Sequence, residues 1–374
     1  MLLLRDPILP VRLAHGVVCV ALLALSALGS VVAPLPATAG DRAPRALVKA
    51  CRGGDGAACA ALGSHYASGT QVRRDDLRAV EYFRSACDAG HAAGCYQVGL
   101  MYLSGRGLAR SEQRAARIMM RACDGGYADA CTELGEMYAA GRGVEPDAGA
   151  AVELYARACD SSHARSCRLL AEAYGSGSGV AADSEAAARQ LDRACALGDA
   201  KGCVGRAELW LAGGQPPSDA YRALPLFRRA CQLGRAAACS DLGALRERGI
   251  GAARDPTAAA ALYRRGCDAG HALACANLAA MLVSGTEVPG DERLAVQLLE
   301  RSCQGGATHA CTSLAVLLAE GRGTDRDLEL AHRIAARACA VGDTAACAAE
   351  RSLIENGRII DPPSIAGAAL TRGH

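Results

Sequence analysis

The sequence predicts an all-α fold: an α/α solenoid superhelix of about eight helix hairpins, each 36 residues long, on three observations. Cysteines come in pairs eight positions apart, and each pair starts 36 residues after the last with no insertion or deletion. Counted from the second cysteine of each pair, the eleventh residue is glycine in every period, from Gly69 to Gly321, and the twenty-first is alanine, from Ala79 to Ala331. No segment alternates apolar and polar residues as a half-buried strand would.

Residues 1–39 stand outside the period. Arg5 and Arg12 precede a 17-residue apolar run, GVVCVALLALSALGSVV, followed by proline-punctuated small residues ending in Ala37-Thr38-Ala39. That order, basic then apolar then an A-x-A site, is the order of a cleaved secretory signal peptide. The alternative is a retained membrane anchor, for which 17 apolar residues sit at the short edge. Cys19 lies inside the apolar run without the small-residue context of lipid attachment and is removed with it.

Residues 40–58 hold half a unit, DRAPRALVKAC, that resembles the second helix of a hairpin and serves as an N-terminal cap. Residues 59–346 carry the eight full units. In CTELGEMYAAGRG, Cys131, Leu134 and Tyr138 fall at i, i+3 and i+7 on one helix face, and Gly141 and Gly143 end it. In DAGAAVELYARAC, Ala151, Tyr155, Ala158 and Cys159 form a second stripe. Two helices this short cannot bury their stripes alone, whereas stacked units share them. Residues 347–374 open with CAAERSLIENG, a first-helix cap, and end in a tail with Pro362-Pro363 that is expected to be loosely ordered.

The chain has 19 cysteines, so 18 remain after Cys19. An even count in an exported chain reads as a disulfide framework. Pairing within a unit, Cys59 with Cys87, would also join one end of a hairpin, so geometry leaves both patterns open. Parity decides, because that pattern orphans Cys51 and Cys347. The expected bridges are Cys51–Cys59, Cys87–Cys95, Cys123–Cys131, Cys159–Cys167, Cys195–Cys203, Cys231–Cys239, Cys267–Cys275, Cys303–Cys311 and Cys339–Cys347. Aromatic residues are only 3% of the chain, and a core this thin gains most from staples.

Zinc needs clustered ligands at C-x2-C spacing and a thioredoxin-like centre needs C-x-x-C; neither occurs. His91, His163 and His271 share one position of the repeat, but they lie two and three units apart, too far to meet across a stack, and read as loop or helix-entry residues. The formal charge of +2 calls for neither nucleic acid nor an anionic membrane. Two units break the pattern: Arg206 stands where leucine is usual, and Trp210 and Arg246 stand where earlier units have tyrosine. Either they mark a contact patch or the solenoid repacks locally around them.

The unit C-x-x-L-G-x-x-Y-x-x-G-x-G-V-x-x-D-x-x-x-A-x-x-x-Y-x-x-A-C-D-x-G resembles the Sel-one-like repeat (SLR), a relative of the tetratricopeptide repeat, over about residues 42 to 357. The regular cysteine pairs resemble those of the cysteine-rich SLR proteins, such as the Helicobacter cysteine-rich proteins. The resemblance implies an α/α superhelix, C-x7-C disulfides, export to the periplasm or beyond, and a scaffold role with a protein or peptide partner. It also carries an alternative, penicillin binding or weak β-lactam hydrolysis, with a β-lactam or cell-wall fragment as ligand. The sequence lends that alternative little, having no S-x-x-K, K-T-G, H-x-H-x-D, H-E-x-x-H or G-x-S-x-G, and no catalytic residue, cofactor or metal ligand is assigned.

Overall fold

The structure is a computed structural model that describes residues 44–212 and 218–356. The signal-peptide reading of residues 1–39, Cys19, Gly213 and the tail after residue 356 lie outside the described residues.

The described residues form 18 helices and no strand. A short helix α1 (Arg45–Arg52) leads into eight hairpins. These are α2 (Gly56–Ser68) with α3 (Asp76–Asp88), α4 (Ala92–Ser104) with α5 (Glu112–Asp124), α6 (Ala128–Ala140) with α7 (Ala148–Asp160), and α8 (Ala164–Ser176) with α9 (Ser184–Ala196). Then come α10 (Ala200–Ala212) with α11 (Ser218–Gln232), α12 (Ala236–Arg248) with α13 (Pro256–Asp268), α14 (Ala272–Ser284) with α15 (Glu292–Gln304), and α16 (Thr308–Glu320) with α17 (Leu328–Ala340). A last helix, α18 (Thr344–Asn356), packs on α17 and α16. Each helix packs chiefly on its neighbours in sequence, and first helices also touch across units, as α12 touches α14. That is the contact pattern of a solenoid.

Local chemistry sets the helix ends. Seven of the eight second helices, all but α11, begin at an aspartate or serine whose side chain accepts backbone N–H groups of the first turn, as Asp147 accepts from Ala150 at 2.9 Å and Ser111 from Arg114 at 3.3 Å. First helices whose ends are described finish at a left-handed glycine, as at Gly141 with φ 64°, where a side chain would be strained. Two residues on, Gly143 makes a different demand: a Cβ there would come within 2.3 Å of the Glu112 carbonyl carbon, so its absence lets this loop rest on the second helix of the preceding hairpin, as Gly107, Gly179, Gly251 and Gly323 do in theirs. Gln71 takes this place in the first hairpin, at φ 66°.

The core is built from knobs on second helices set into notches on first helices. A Cβ on Gly135 would meet Tyr155 Cε1 at 2.5 Å, and Gly63, Gly99 and Gly243 relate in the same way to Phe83, Met119 and Tyr263. Where the knob is Leu191 or Leu299, the notch is Ala171 or Ala279. First helices are buried on more than the single stripe their sequence suggests: Met137 is fully buried while Tyr138 is half-buried. The cause is that α6 is flanked by α5 and α7 together.

Each connector between units is closed by a disulfide. Nine bridges join cysteines eight apart, with Cα separations of 4.5 to 4.7 Å, within the range that disulfides favour. Each ties the last turn of one second helix to the first turn of the next first helix, so the bridges run between successive hairpins. Closing so short a loop in the unfolded chain is worth about 2 to 3 kcal/mol in the chain-entropy model.

Replacing both Cys159 and Cys167 by serine should lower stability by about 2 to 3 kcal/mol, read as an earlier midpoint in urea unfolding. Gly135→Ala should destabilise although alanine is the better helix former: overpacking against Tyr155 costs about 1–3 kcal/mol against a propensity gain of about 1 kcal/mol. A raised melting temperature in that variant would refute the notch.

Candidate interaction surface

Polar side chains on the first helices link one hairpin to the next. On α6, Glu133 and Glu136 stand one helical turn apart, and Arg165 from the first turn of α8 donates to both, at 3.3 and 2.5 Å. On α8, Arg168 pairs with Glu172 in its own helix and donates through Nε to Asp199 at 3.3 Å, just before α10. Aromatic rings interleave with these charges. Tyr96 of α4 lies 5.0 Å from Tyr127 between ring centroids, and burial pushes its hydroxyl up to about 12.

Two of the three pattern-breaking residues are brought together. Arg206 donates through Nε to Asp192 at 3.0 Å, and its guanidinium lies 4.3 Å from the centre of the Trp210 ring. A second guanidinium, from Arg222 on α11, lies 4.5 Å from the same ring. These are cation–π distances, and the Arg206 side chain is only 14% exposed, so it is held against the solenoid rather than extended from it. Arg246, half-buried, takes the place of Trp210 one unit further on, in α12. Arg222 was not visible as a partner in the sequence because it comes from the opposing helix.

His91, His163 and His271 each occupy the N-cap position of a first helix and none caps it with its side chain. His163 instead bonds through Nδ1 to Ser166 Oγ at 2.8 Å and Thr132 Oγ1 at 3.1 Å, with Nε2 3.3 Å from Asp129. Burial, with the Arg235 charge behind it, lowers the pKa of His271. Among the described residues no group of three or more histidines, cysteines or carboxylates is arranged to hold a metal.

The sequence reading passed over a second cluster, where α10 meets α12. Burial first, then the nearby charge of Glu208, push Asp241 up to about 6, while Arg235 pulls it down without prevailing. Glu208 is raised for the same first reason, burial, again opposed by Arg235. Beside them the fully buried Tyr263 donates its hydroxyl to Glu247 at 2.6 Å. The sequence signal was slight: Asp241 stands at a repeat position held elsewhere by Glu133 but mostly by uncharged residues.

Stacked helix hairpins, stapled one to the next and presenting a polar first-helix face, define a repeat-protein scaffold of the kind that mediates protein–protein interaction. The Sel1 repeat model matches residues 56–91, 92–127, 128–163, 164–199, 204–234, 236–271, 272–306 and 308–343, and the chain belongs to that family, with the paired cysteines of its cysteine-rich members. A protective antigen of uropathogenic Escherichia coli, c5321, described as displaying an SLR fold, is 23% identical with a TM-score of 0.71, over 83% of this chain and 66% of that one. The chain therefore spans slightly less than two thirds of that relative. A Sel1 repeat protein from Oxalobacter formigenes is 21% identical with a TM-score of 0.62, over 84% of this chain and 96% of its own. Helicobacter pylori cysteine rich protein B is 27% identical over 34% of this chain and 90% of its own, with a TM-score of 0.29. No curated protein matches the chain.

Asp241 gives a pH test. Between its ordinary value, about 4, and about 6, the folded chain retains a proton that the unfolded chain has lost, so its contribution to stability falls as pH rises through that window. Asp241→Asn should raise the melting temperature at about pH 8 and have little effect below about pH 4, where both forms are uncharged. An equal gain at both pH values would show that Asp241 carries no uncompensated charge.

Proposed function

We propose that the chain is an exported scaffold that binds a protein or peptide along its first-helix face. In this reading residues 1–39 are a cleaved leader, residues 40–58 and 347–374 hold capping half-repeats, and residues 59–346 are the working solenoid. The observation that carries the proposal is variation on a constant frame: the exposed and half-buried first-helix positions change from unit to unit in polar and aromatic character, among them Arg206, Trp210 and Arg246. Membership of the Sel1 repeat family supports an interaction role. Nine disulfides favour an oxidising environment, and with the leader they support a periplasmic or secreted location. Among the described residues no helix is long and apolar enough to cross a membrane.

Oxidised full-length protein, crosslinked in the native organism and captured from periplasmic and secreted fractions, should retain a discrete partner that binds again when both are purified. Captures that stay empty under crosslinking would defeat the proposal. Turnover of a chromogenic cephalosporin above a heat-treated control would favour β-lactam chemistry instead; none is expected.

A further inference from the structure

Seven of the eight second helices carry an arginine at one register of their last turn, from Arg121 to Arg337. Four of these guanidiniums donate back to the cysteine carbonyl that opens the preceding connector: Arg157 to Cys123 at 3.3 Å, Arg229 to Cys195 at 3.0 Å, Arg265 to Cys231 at 3.3 Å and Arg301 to Cys267 at 3.1 Å. At the upstream end of the row the guanidinium also meets a carboxylate. Arg121 lies 3.7 Å from Asp88, Arg157 3.3 Å from Asp124 and Arg193 3.0 Å from Asp160. In the next two repeats the residues equivalent to those aspartates are Ala196 and Gln232. Among the described residues, Arg229 and Arg265 keep the carbonyl contact and lack the ion pair.

These two positions are exposed and physically joined. The bond from Arg265 to Cys231 sets its guanidinium against the last turn of α11, two residues beyond Arg229, and Arg229 itself donates to Ala196 at 3.1 Å, the residue that replaces the upstream aspartate. Exposed Arg228 and Arg264 stand next to them and add to the positive field. Acidic residues close the patch on both sides, because the register of Arg228 and Arg264 holds Asp192 in α9 and Glu300 in α15. Asp268 is the one carboxylate in the last turns of α11 and α13. An independent feature shares the same two connectors. Leu197 and Leu233 directly follow Ala196 and Gln232 and are 40% and 42% exposed, where the equivalent residues upstream are Ala89, Gly125 and Ser161. Each guanidinium that has lost its carboxylate therefore sits at a connector that also turns a leucine toward water.

The upstream repeats show the complement of such a guanidinium, an aspartate carboxylate beside the same backbone carbonyl. Planar donor forks tied to the backbone and set one repeat apart suit carboxylate side chains, and the leucines suit an apolar one. We propose that Arg229, Arg265, Leu197 and Leu233 form a docking strip for an acidic peptide segment of a partner protein. Two of its aspartate or glutamate side chains take the places that Asp124 and Asp160 take upstream, and an apolar residue between them lies against the leucines. An anionic membrane is the poorer match, because it attracts clusters of about four to eight basic side chains, whereas two guanidiniums here are held back against the chain. The strip goes beyond the reading of the first-helix face: it is a second surface, on the bridged connectors, with its own partner chemistry.

The test is selection of displayed random linear peptides on the oxidised full-length protein, followed by titration of the selected peptides against it and against Ala196→Asp/Gln232→Asp. That variant returns the internal carboxylates of the upstream units at two exposed positions, and far-UV circular dichroism and melting confirm that it folds. Wild-type protein should select peptides with aspartate or glutamate fixed at two positions and an apolar residue between them. A selected peptide should bind the variant about tenfold or more weakly, lose the same factor when its acidic residues become asparagine or glutamine, and weaken as salt is raised. Binders without fixed acidic residues, acidic binders that hold the variant as tightly as wild type, or a selection that enriches nothing would each overturn the strip while leaving the first-helix reading to its own capture experiment. Binding to phosphatidylglycerol vesicles that the variant loses, with no acidic peptide enriched, would overturn it in favour of a membrane surface.

Discussion

The rest of the molecule depends on the covalent closure of each connector between hairpins. Helices of 13 residues with alanine- and glycine-rich stripes bury little apolar area per unit, and a stack of them is held mainly by interfaces between neighbours. A bridge across every connector fixes the angle at which one second helix hands over to the next first helix. The knob-and-notch packing then has to complete each interface rather than create it. This is why the notches can be as shallow as a missing methyl group: Gly135 accepts Tyr155 because the backbones are already held close.

The same economy shapes the polar face. The first-helix residues that packing leaves uncovered are free to vary, and they do so in a connected way. Arg165 joins α6 to α8, and Arg168 reaches from α8 toward α10. Beyond that point the chain changes habit, with arginines gathered on Trp210 and carboxylates left on α10 and α12. A carboxylate whose pKa is raised by burial, as that of Asp241 is, costs stability once the pH exceeds that pKa.

Much of this was legible in the sequence because the period is exact. A fixed spacing of cysteines, glycines and alanines dictates where helices start and stop, and the parity of the cysteines selects the bridges that the structure contains. The contents of the first-helix face were less legible, for a geometric reason. Residues that meet there are separated by about one repeat, as Glu133 and Arg165 are, and a pattern read within one unit does not see them. Trp210 and Arg206 were singled out as exceptions to the repeat, yet their partner Arg222 and the cluster at Asp241 became visible only once α10, α11 and α12 were set side by side. Similarly, Met137 is buried on a helix flanked by α5 as well as α7, which no single-helix stripe anticipates.

The position of the bridges also sets how the chain responds to being cut. A break in the backbone between Cys159 and Cys167 leaves the two flanking segments joined through sulfur, whereas a break in the loop around Gly141 and Gly143 parts them. Along the rod, then, vulnerable and protected connectors alternate. Five of the unprotected ones are folded against the preceding hairpin through a glycine too close to its neighbour to bear a side chain, so these seams are shielded by contact where the bridged ones are shielded by covalency.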